Sequence, residues 1–277
     1  MNWIQSVVMG FFSGMAEPMP LSAEAHRGLL SRLMGVGSIP PLFLLTTHLA
    51  VLLVILTWGK LDIRRLRRTS RQLKTPARRR TSHPDLNSTG TLQLLRSAAL
   101  LAVAGRLLGL YLEFVAERLW LVAIPLLLSG LLIWAPSQMR TANKDGRHLT
   151  NKEGTILGLG ALAAAIPGLS TVGAVTAVGS MMGVHRRYAV RFAWLLLSIS
   201  LGTAVVMDAL AVAGGNLDFS VQELLSAGLG AGAAALGTRL GIQLIESRIR
   251  SNAGDLTGFC YYNWGQAILC LVLFLLV

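Results

Sequence analysis

Apolar runs long enough to cross a lipid bilayer recur from one end of this sequence to the other. A transmembrane helix needs about 20 predominantly apolar residues, which is more than the core of a soluble protein requires in one stretch. Of the 277 residues, 53% are hydrophobic and only 14% are charged, whereas soluble domains carry about 25% charged residues. The sequence therefore predicts one polytopic, all-α integral membrane domain over residues 1–277, with no separate soluble domain.

The apolar runs are of two kinds, six of spanning length and four that are too short. The six predicted spans are residues 41–58, 92–112, 119–136, 189–213, 222–243 and 256–277. The short runs form two pairs, and each pair is interrupted by proline. Residues 1–36 contain the break Glu17-Pro18-Met19-Pro20, and residues 154–184 contain the break Pro167-Gly168. Each pair predicts a re-entrant helical hairpin, because such half-length segments do not span a bilayer.

Basic residues occupy the short segments between the spans, which gives the chain a net charge of +12. Lys and Arg concentrate in cytoplasmic loops of membrane proteins, so the loops at 60–83 and 137–153 are predicted to be cytoplasmic. The turn at 113–118 and the loop at 214–218 are then external. This placement argues against nucleic acid as a partner. It indicates that the basic loop at 60–83 faces anionic membrane lipids.

This orientation makes the first hairpin enter from outside and the second from the cytoplasm. Two broken hairpins of opposite entry, in corresponding halves, predict an inverted repeat whose breaks meet near the midplane and form a binding site. The alternative is six spans with two amphipathic helices lying on the membrane surface. Polar residues cluster at both breaks, which favours the inverted repeat.

The first break carries five chemically active side chains within eleven residues: Glu17, Ser22, Glu24, His26 and Arg27. Ionisable groups at membrane depth are costly and usually mark a functional site. The alternative is a shallow hairpin whose polar groups only contact water. Ser22 and His26 are four residues apart and are predicted to share one helix face. The helix N-terminus at Ser22 suits an anionic ligand.

The second break, Pro167-Gly168-Leu169-Ser170-Thr171, is predicted to begin another helix at the same site. Gly168 allows a close backbone approach, and Ser170 and Thr171 supply hydroxyl groups. Two helix N-termini directed at one point make a good phosphate cradle. Ordinary N-cap chemistry also accounts for a Ser-Thr pair at a helix start.

These motifs resemble those of the undecaprenyl-diphosphate phosphatases of the bacitracin-resistance type. The first break resembles that family's G-x-x-E-G-x-T-E-F-L-P-x-S-S-T-G-H, and the second resembles P-G-x-S-R-S-G. Met182-Gly183-Val184-His185-Arg186 resembles the family's M-G-V-S-R. The resemblance implies a homodimeric, multi-pass enzyme of the bacterial inner membrane. Such an enzyme hydrolyses undecaprenyl diphosphate to the monophosphate, in recycling of the cell-wall lipid carrier, with a divalent cation such as Mg or Ca.

The resemblance also implies roles for individual residues. Glu17, Ser22 and His26 match catalytic positions, with Glu17 as metal ligand or general base and His26 as nucleophile or acid–base. Glu24 stands where the family motif has threonine, and its carboxylate makes it a second candidate metal ligand beside Glu17. The candidate substrate-binding residues are Gly168, Ser170, Thr171, Gly173 and Arg27.

Two departures from the family motifs keep the function open. The family's arginine, which would grip phosphate through two hydrogen bonds, is Thr171 here, and its second serine is Ala23. Arg27 and Arg106 are candidates to replace the missing guanidinium. The predicted function is a lipid-diphosphate phosphatase, and the alternative is a non-hydrolytic polyprenyl-phosphate flippase or lipid-binding relative. A small-solute transporter of unrelated fold is a third alternative, and it predicts that the two breaks lie far apart.

Overall fold

The computed structural model describes residues 1–76, 78, 82–139, 143–215, 218–251 and 255–276. Within these ranges all of the regular secondary structure is helical, and there is no β-strand. Asn216 and Leu217 of the predicted external loop lie outside the described residues. So do residues 77 and 79–81 of the basic segment and residues 140–142 of the second predicted cytoplasmic loop.

Twelve α-helices follow one another along the described chain. They are α1 Trp3–Ala16, α2 Ala23–Leu33, α3 Pro41–Trp58, α4 Lys60–Lys74, α5 Leu86–Tyr111, α6 Glu113–Glu117, α7 Leu119–Trp134, α8 Asn151–Ala163, α9 Thr171–Met181, α10 Arg186–Ala213, α11 Val221–Ser251 and α12 Thr257–Leu276. A short 3₁₀ turn, Ala135–Gln138, continues α7.

Within the part of the chain that the structure describes, five helices are long and apolar enough to cross a membrane: α3, α5, α7 with its 3₁₀ turn, α10 and α12. The prediction of an integral, all-helical membrane protein is therefore confirmed. The sixth predicted span, 222–243, lies within α11, which has 31 residues. Its many glycine, alanine and polar residues make α11 less apolar than the other five, so it does not qualify by composition.

The basic segment at 60–83, predicted to be a loop, contains the 15-residue helix α4. The segment connecting the two spans is helical over Lys60–Lys74, because Leu, Arg, Lys and Gln are good helix formers and no glycine or proline interrupts them. Asp62 in the first turn and Arg71 and Lys74 in the last turn also complement the helix dipole.

The first helices of the two broken segments, α1 and α8, begin in the same way. Asn2 and Gln5 form a capping box at the start of α1, and Thr150 and Glu153 form one at the start of α8. In such a box each residue's side chain bonds the other's backbone N–H, which satisfies two otherwise unpaired donors.

Both helices then pack closely against a long helix from the other half of the chain. Helix α1 lies on α11, where a Cβ on Gly10 or Gly14 would collide with the backbone of Gly230 or Ala234. Helix α8 lies on α5, where a Cβ on Gly158 would come within 2.9 Å of the Cα of α5 residue 98. Small residues allow membrane helices to approach this closely.

Candidate functional site

The two breaks lie in direct contact with each other. The Ser22 Oγ accepts a hydrogen bond from the Gly168 N–H at 3.1 Å, and the Ser170 Oγ donates one to the Met19 carbonyl at 3.0 Å. A Cβ on Gly173 would lie only 3.4 Å from Pro20. The breaks therefore meet as predicted, and the unrelated fold with distant breaks is contradicted.

Each of these serines also caps the helix that follows it. The Ser22 Oγ accepts from the Ala25 N–H at 3.2 Å, and the Ser170 Oγ accepts from the Gly173 N–H at 3.2 Å. One hydroxyl thus serves both its own helix start and the opposite break. The N-termini of α2 and α9 are held side by side as a result.

Gly168 has a backbone conformation that the contact requires. Its φ is +108°, a region that side chains disfavour. A Cβ there would also lie 2.8 Å from the Cβ of Pro125. Glycine at this position therefore lets the second break pass between α7 and Ser22.

Side chains of α10 and α12 hold the backbone of the first break in place through hydrogen bonds. The Trp194 Nε1 donates to the Pro18 carbonyl at 2.8 Å, and the Asn263 Nδ2 donates to the Pro20 carbonyl at 3.1 Å. These bonds satisfy backbone acceptors that a proline-broken helix leaves unpaired. The break is therefore an ordered part of the interior.

A cavity of about 60 Å³ lies beside the joined breaks, which is room for several water molecules. Its polar lining consists of Glu17, Ser22, Glu24, Arg106, Ser170, Thr171 and Ser200. The remaining walls are formed mostly by glycine, alanine and leucine residues of α5, α8 and α10. Polar groups from both breaks thus converge on one small space, which we call the break cavity.

Two arginines pair with the two glutamates of this site. The Arg106 Nη1 lies 2.8 Å from the Glu24 Oε1, and the Arg27 Nη1 lies 3.7 Å from the Glu17 Oε1. The Arg106 Nε is buried and has no hydrogen-bond partner among the described residues. The Arg106 side chain as a whole lines the cavity and is 21% exposed. Since a guanidinium has five N–H donors, donors beyond the Glu24 contact are available to an anion there.

His26 lies outside the break cavity, although Ser22 lines it. The His26 Nδ1 is 2.7 Å from the Ser22 carbonyl oxygen, and its Nε2 is 2.8 Å from the Tyr262 hydroxyl. The two rings are stacked with centroids 5.6 Å apart. Ser22 and His26 were predicted to share one helix face, and His26 does contact Ser22 one turn earlier. The imidazole does not line the cavity, because it is bonded to Tyr262.

Some of the remaining predicted site residues line the break cavity, and the others lie next to it without lining it. Glu17, Glu24, Ser170 and Thr171 line the break cavity, whereas Arg27, Gly168 and Gly173 lie behind it. Arg106 and Ser200 join the lining from α5 and α10. Arg106 was detectable as a charge within an apolar span. Tyr262 had a weaker signal, as part of the polar group at 261–263 near the start of the last span.

The carboxylate groups of the break cavity match one mode of divalent-cation binding. No group of three or more His, Cys, Asp or Glu side chains that could hold a metal occurs in the described part of the chain. Glu17 and Glu24 nevertheless line the same cavity, and a carboxylate keeps acceptor capacity beyond one arginine contact. Magnesium is commonly bound by one or two carboxylates together with substrate phosphates. These residues therefore fit a cation that substrate helps to hold.

Comparison with known proteins gives a match over almost the entire chain. The family described as "Bacitracin resistance protein BacA" matches residues 6–269. A protein named undecaprenyl-diphosphatase from Carboxydothermus hydrogenoformans is 25% identical over 277 residues, covering 99% of this chain and 98% of the relative. Proteins of the same name from Mycobacterium sp. (strain KMS) and Methanobrevibacter smithii are 27% and 26% identical. They cover 82% and 95% of both chains, respectively.

Proposed function

The chain belongs to the bacitracin resistance protein BacA family, and from this membership we propose that it hydrolyses undecaprenyl diphosphate, or a similar polyprenyl diphosphate, to the monophosphate. The observation that carries the proposal is the break cavity. It joins the Arg106 guanidinium, two carboxylates and two helix N-termini. This is the set of groups that binding a diphosphate and activating water require.

We also propose that the chain crosses the membrane as six spans and two re-entrant hairpins related by an inverted repeat. The sixth span is α11, and the hairpins are α1–α2 and α8–α9. In this repeat α1 corresponds to α8, and α5 corresponds to α11. The packing of α1 on α11 is therefore equivalent to the packing of α8 on α5. In the same way α3 corresponds to α10, and the packing of α3 on α11 is equivalent to that of α10 on α5. The reciprocal bonds of Ser22 and Ser170 agree with this relation.

In the proposed reaction, the terminal phosphate binds against Arg106 and the N-termini of α2 and α9. Glu17 accepts a proton from water as the water oxygen forms a bond to the terminal phosphorus. The bond from that phosphorus to the bridging oxygen breaks, and the lipid monophosphate leaves as an anion. Arg106 stabilises the charge that develops on the phosphate oxygens. Arg27, paired with Glu17, orients the carboxylate.

We assign His26 to positioning in this scheme. Its two ring nitrogens are engaged by the Ser22 carbonyl and the Tyr262 hydroxyl, so it holds the start of α2 in place. The alternative role, a nucleophile, requires the ring to leave both partners. Acid-labile phosphohistidine trapped on His26 during turnover would contradict the positioning role.

A divalent cation, Mg or Ca, is part of the proposal. Glu17 and Glu24 would hold it, and when bound it would neutralise part of the diphosphate charge. From the family resemblance we also propose a homodimer in the bacterial inner membrane. The external face of that membrane is the proposed source of the lipid.

The non-hydrolytic flippase is less well supported. Its main argument was Thr171 in place of the family's arginine, and Arg106 brings a guanidinium to the same cavity from α5. The exposed surface of the described residues is rich in large apolar side chains, as either function requires.

A phosphate-release assay tests the proposed function. Purified protein is incubated with undecaprenyl or farnesyl diphosphate, with and without Mg²⁺ or Ca²⁺, beside an active member of the family. We expect cation-dependent release of inorganic phosphate. Absence of release while the relative is active would overturn the proposal. Transfer of a labelled lipid phosphate across liposome membranes, lost in Glu17→Gln, would then support the flippase.

A further inference from the structure

A second cavity, of about 350 Å³, lies at the end of the molecule where the basic residues concentrate. It is formed by α4, the first turns of α5 and α10, and the segment around Asp145. It shares no lining residue with the break cavity. We call it the basic-end cavity. The family resemblance and the proposed reaction assign no role to it.

The acidic side chains of this cavity already have partners within the protein. Asp62 pairs with Arg191 at 3.3 Å. Hydrogen bonds from Ser88 hold the pKa of Asp85 below its usual range. Hydrogen bonds from the Arg147 side chain, which does not line the cavity, do the same for the pKa of Asp145. The three carboxylates are thus engaged by partners within the protein.

Two cavity-lining arginines, in contrast, have no such partner. The side chains of Arg65 in α4 and Arg187 in α10 make no hydrogen bond or ion pair with any of the described residues. Both side chains are exposed. The basic-end cavity therefore presents two free guanidinium groups from two different helices.

One wall of the cavity is aromatic and apolar. The rings of Tyr188 and Phe192 stack with centroids 6.3 Å apart, and Leu66 also lines the cavity. The Tyr188 hydroxyl is bonded to Thr91 at 2.8 Å, which fixes this wall. A ligand for this space would thus combine an anionic group with an apolar body.

The position of the cavity relative to the spans agrees with such a ligand. Helix α4 follows the span α3 after a single residue, and α10 begins beside the cavity before crossing. The cavity thus lies at the depth where spans end and lipid headgroups begin. Basic residues at this depth attract the anionic lipids of the cytoplasmic leaflet.

We propose that the basic-end cavity binds a phosphate group, with Arg65 and Arg187 as its ligands. Guanidinium groups suit this task because they bind phosphate oxygens through paired hydrogen bonds. The phosphate comes either from an anionic lipid headgroup or from free phosphate. The apolar wall favours the lipid source.

Binding to the purified full-length protein in detergent tests this site. The probes are dioctanoyl phosphatidate, dioctanoyl phosphatidylcholine and inorganic phosphate. The double variant Arg65→Gln/Arg187→Gln is compared with Arg67→Gln/Arg71→Gln, which removes two exposed arginines of α4 that do not line the cavity. We expect the first pair to weaken phosphatidate binding roughly tenfold or more, since charge-assisted bonds are lost. The second pair should change binding less than twofold.

The other outcomes separate the sources and the alternatives. Displacement of phosphatidate by millimolar inorganic phosphate would identify free phosphate as the ligand. Equal loss in both double variants, or equal binding of phosphatidylcholine, would overturn the site, because general charge or apolar contact would then explain binding. If the double variant is not stably folded, Arg65→Gln alone gives the same comparison. Hydrolysis of farnesyl diphosphate should be unchanged in all these variants, which separates this site from the proposed active site.

Discussion

The Ser22 side-chain oxygen accepts a hydrogen bond from the Gly168 backbone N–H, which joins two segments 146 residues apart in the sequence. The same oxygen caps α2. A single hydroxyl therefore holds together the two breaks and orders the start of a helix. The cavity depends on both of these bonds.

Ser22→Ala should destabilise the protein more than an ordinary serine substitution. It removes a helix cap and leaves the buried Gly168 N–H without its acceptor, costs of about 1 kcal/mol and roughly 1–3 kcal/mol. The measurement is thermal unfolding in detergent. Ser198→Ala is the matched control, because its hydroxyl bonds only to the Trp194 carbonyl of its own helix. Equal melting temperatures for the two variants would contradict the linking role of Ser22.

Gly168→Ala should also lower the melting temperature and reduce phosphate release. The new Cβ meets both a positive φ and the Cβ of Pro125, so the second break must move away from Ser22. A strained backbone of this kind costs on the order of 1–3 kcal/mol. Gly202→Ala is the control, because a Cβ there meets nothing within 4 Å. Wild-type stability in Gly168→Ala would show that the close approach is not required.

Arg106→Gln should reduce the rate of phosphate release by about 10²–10³-fold, the usual effect of removing one donor that stabilises transition-state charge. The control is Arg96→Gln, an exposed arginine on the same helix that does not line the cavity. Steady-state rates on farnesyl diphosphate provide the measurement. Similar rates for both variants would remove Arg106 from the mechanism.

Thr171→Arg should restore part of the activity lost in Arg106→Gln. Thr171 and Arg106 line the same cavity, so a guanidinium introduced on α9 reaches the same phosphate once Arg106 is shortened. We expect recovery of at least about tenfold, which is 1.4 kcal/mol of restored stabilisation. Introducing the arginine in the wild-type background serves as the comparison. A double variant no faster than Arg106→Gln would show that the two positions are not equivalent.

Manganese binding should depend on both glutamates of the break cavity. In Glu17→Gln/Glu24→Gln the affinity for Mn²⁺, followed by its electron paramagnetic resonance signal with a non-hydrolysable diphosphate present, should fall at least tenfold. The reason is that the cation would lose its carboxylate ligands. Glu246→Gln is the control, because this carboxylate near the end of α11 pairs with Arg250 and does not line the break cavity. Unchanged Mn²⁺ affinity in the double variant would place the cation elsewhere.

The sequence predicted the helical fold and the contact between the breaks because both follow from local patterns. Apolar runs set the spans, and proline with glycine set the breaks. The pairing of Arg106 with Glu24 could not be predicted, since it depends on how α5 is rotated against α2. The direction of His26 depends on Tyr262, which is 236 residues away. Helical periodicity placed the histidine on a face but could not identify its partner.

Helix α11 contains the predicted span 222–243, yet it is less apolar than the five helices that are long and apolar enough to cross a membrane. Its glycines reduce its apolar character, yet they are what allows α1 to lie directly on it. One part of the surface of this helix packs on α1 and α3, whereas Leu224, Leu225 and Leu236 are exposed. Mean hydropathy averages over both parts of the surface and does not show which residues pack closely.

The direct backbone contact between α1 and α11 also sets how freely this sequence can change. No layer of side chains separates Gly10 and Gly14 from the facing helix, so any larger residue has to displace the whole hairpin. Leu100 and Leu210, in contrast, face outward and are largely exposed. Related sequences should therefore vary widely on the outer leucines while keeping glycine at the positions of Gly10 and Gly14.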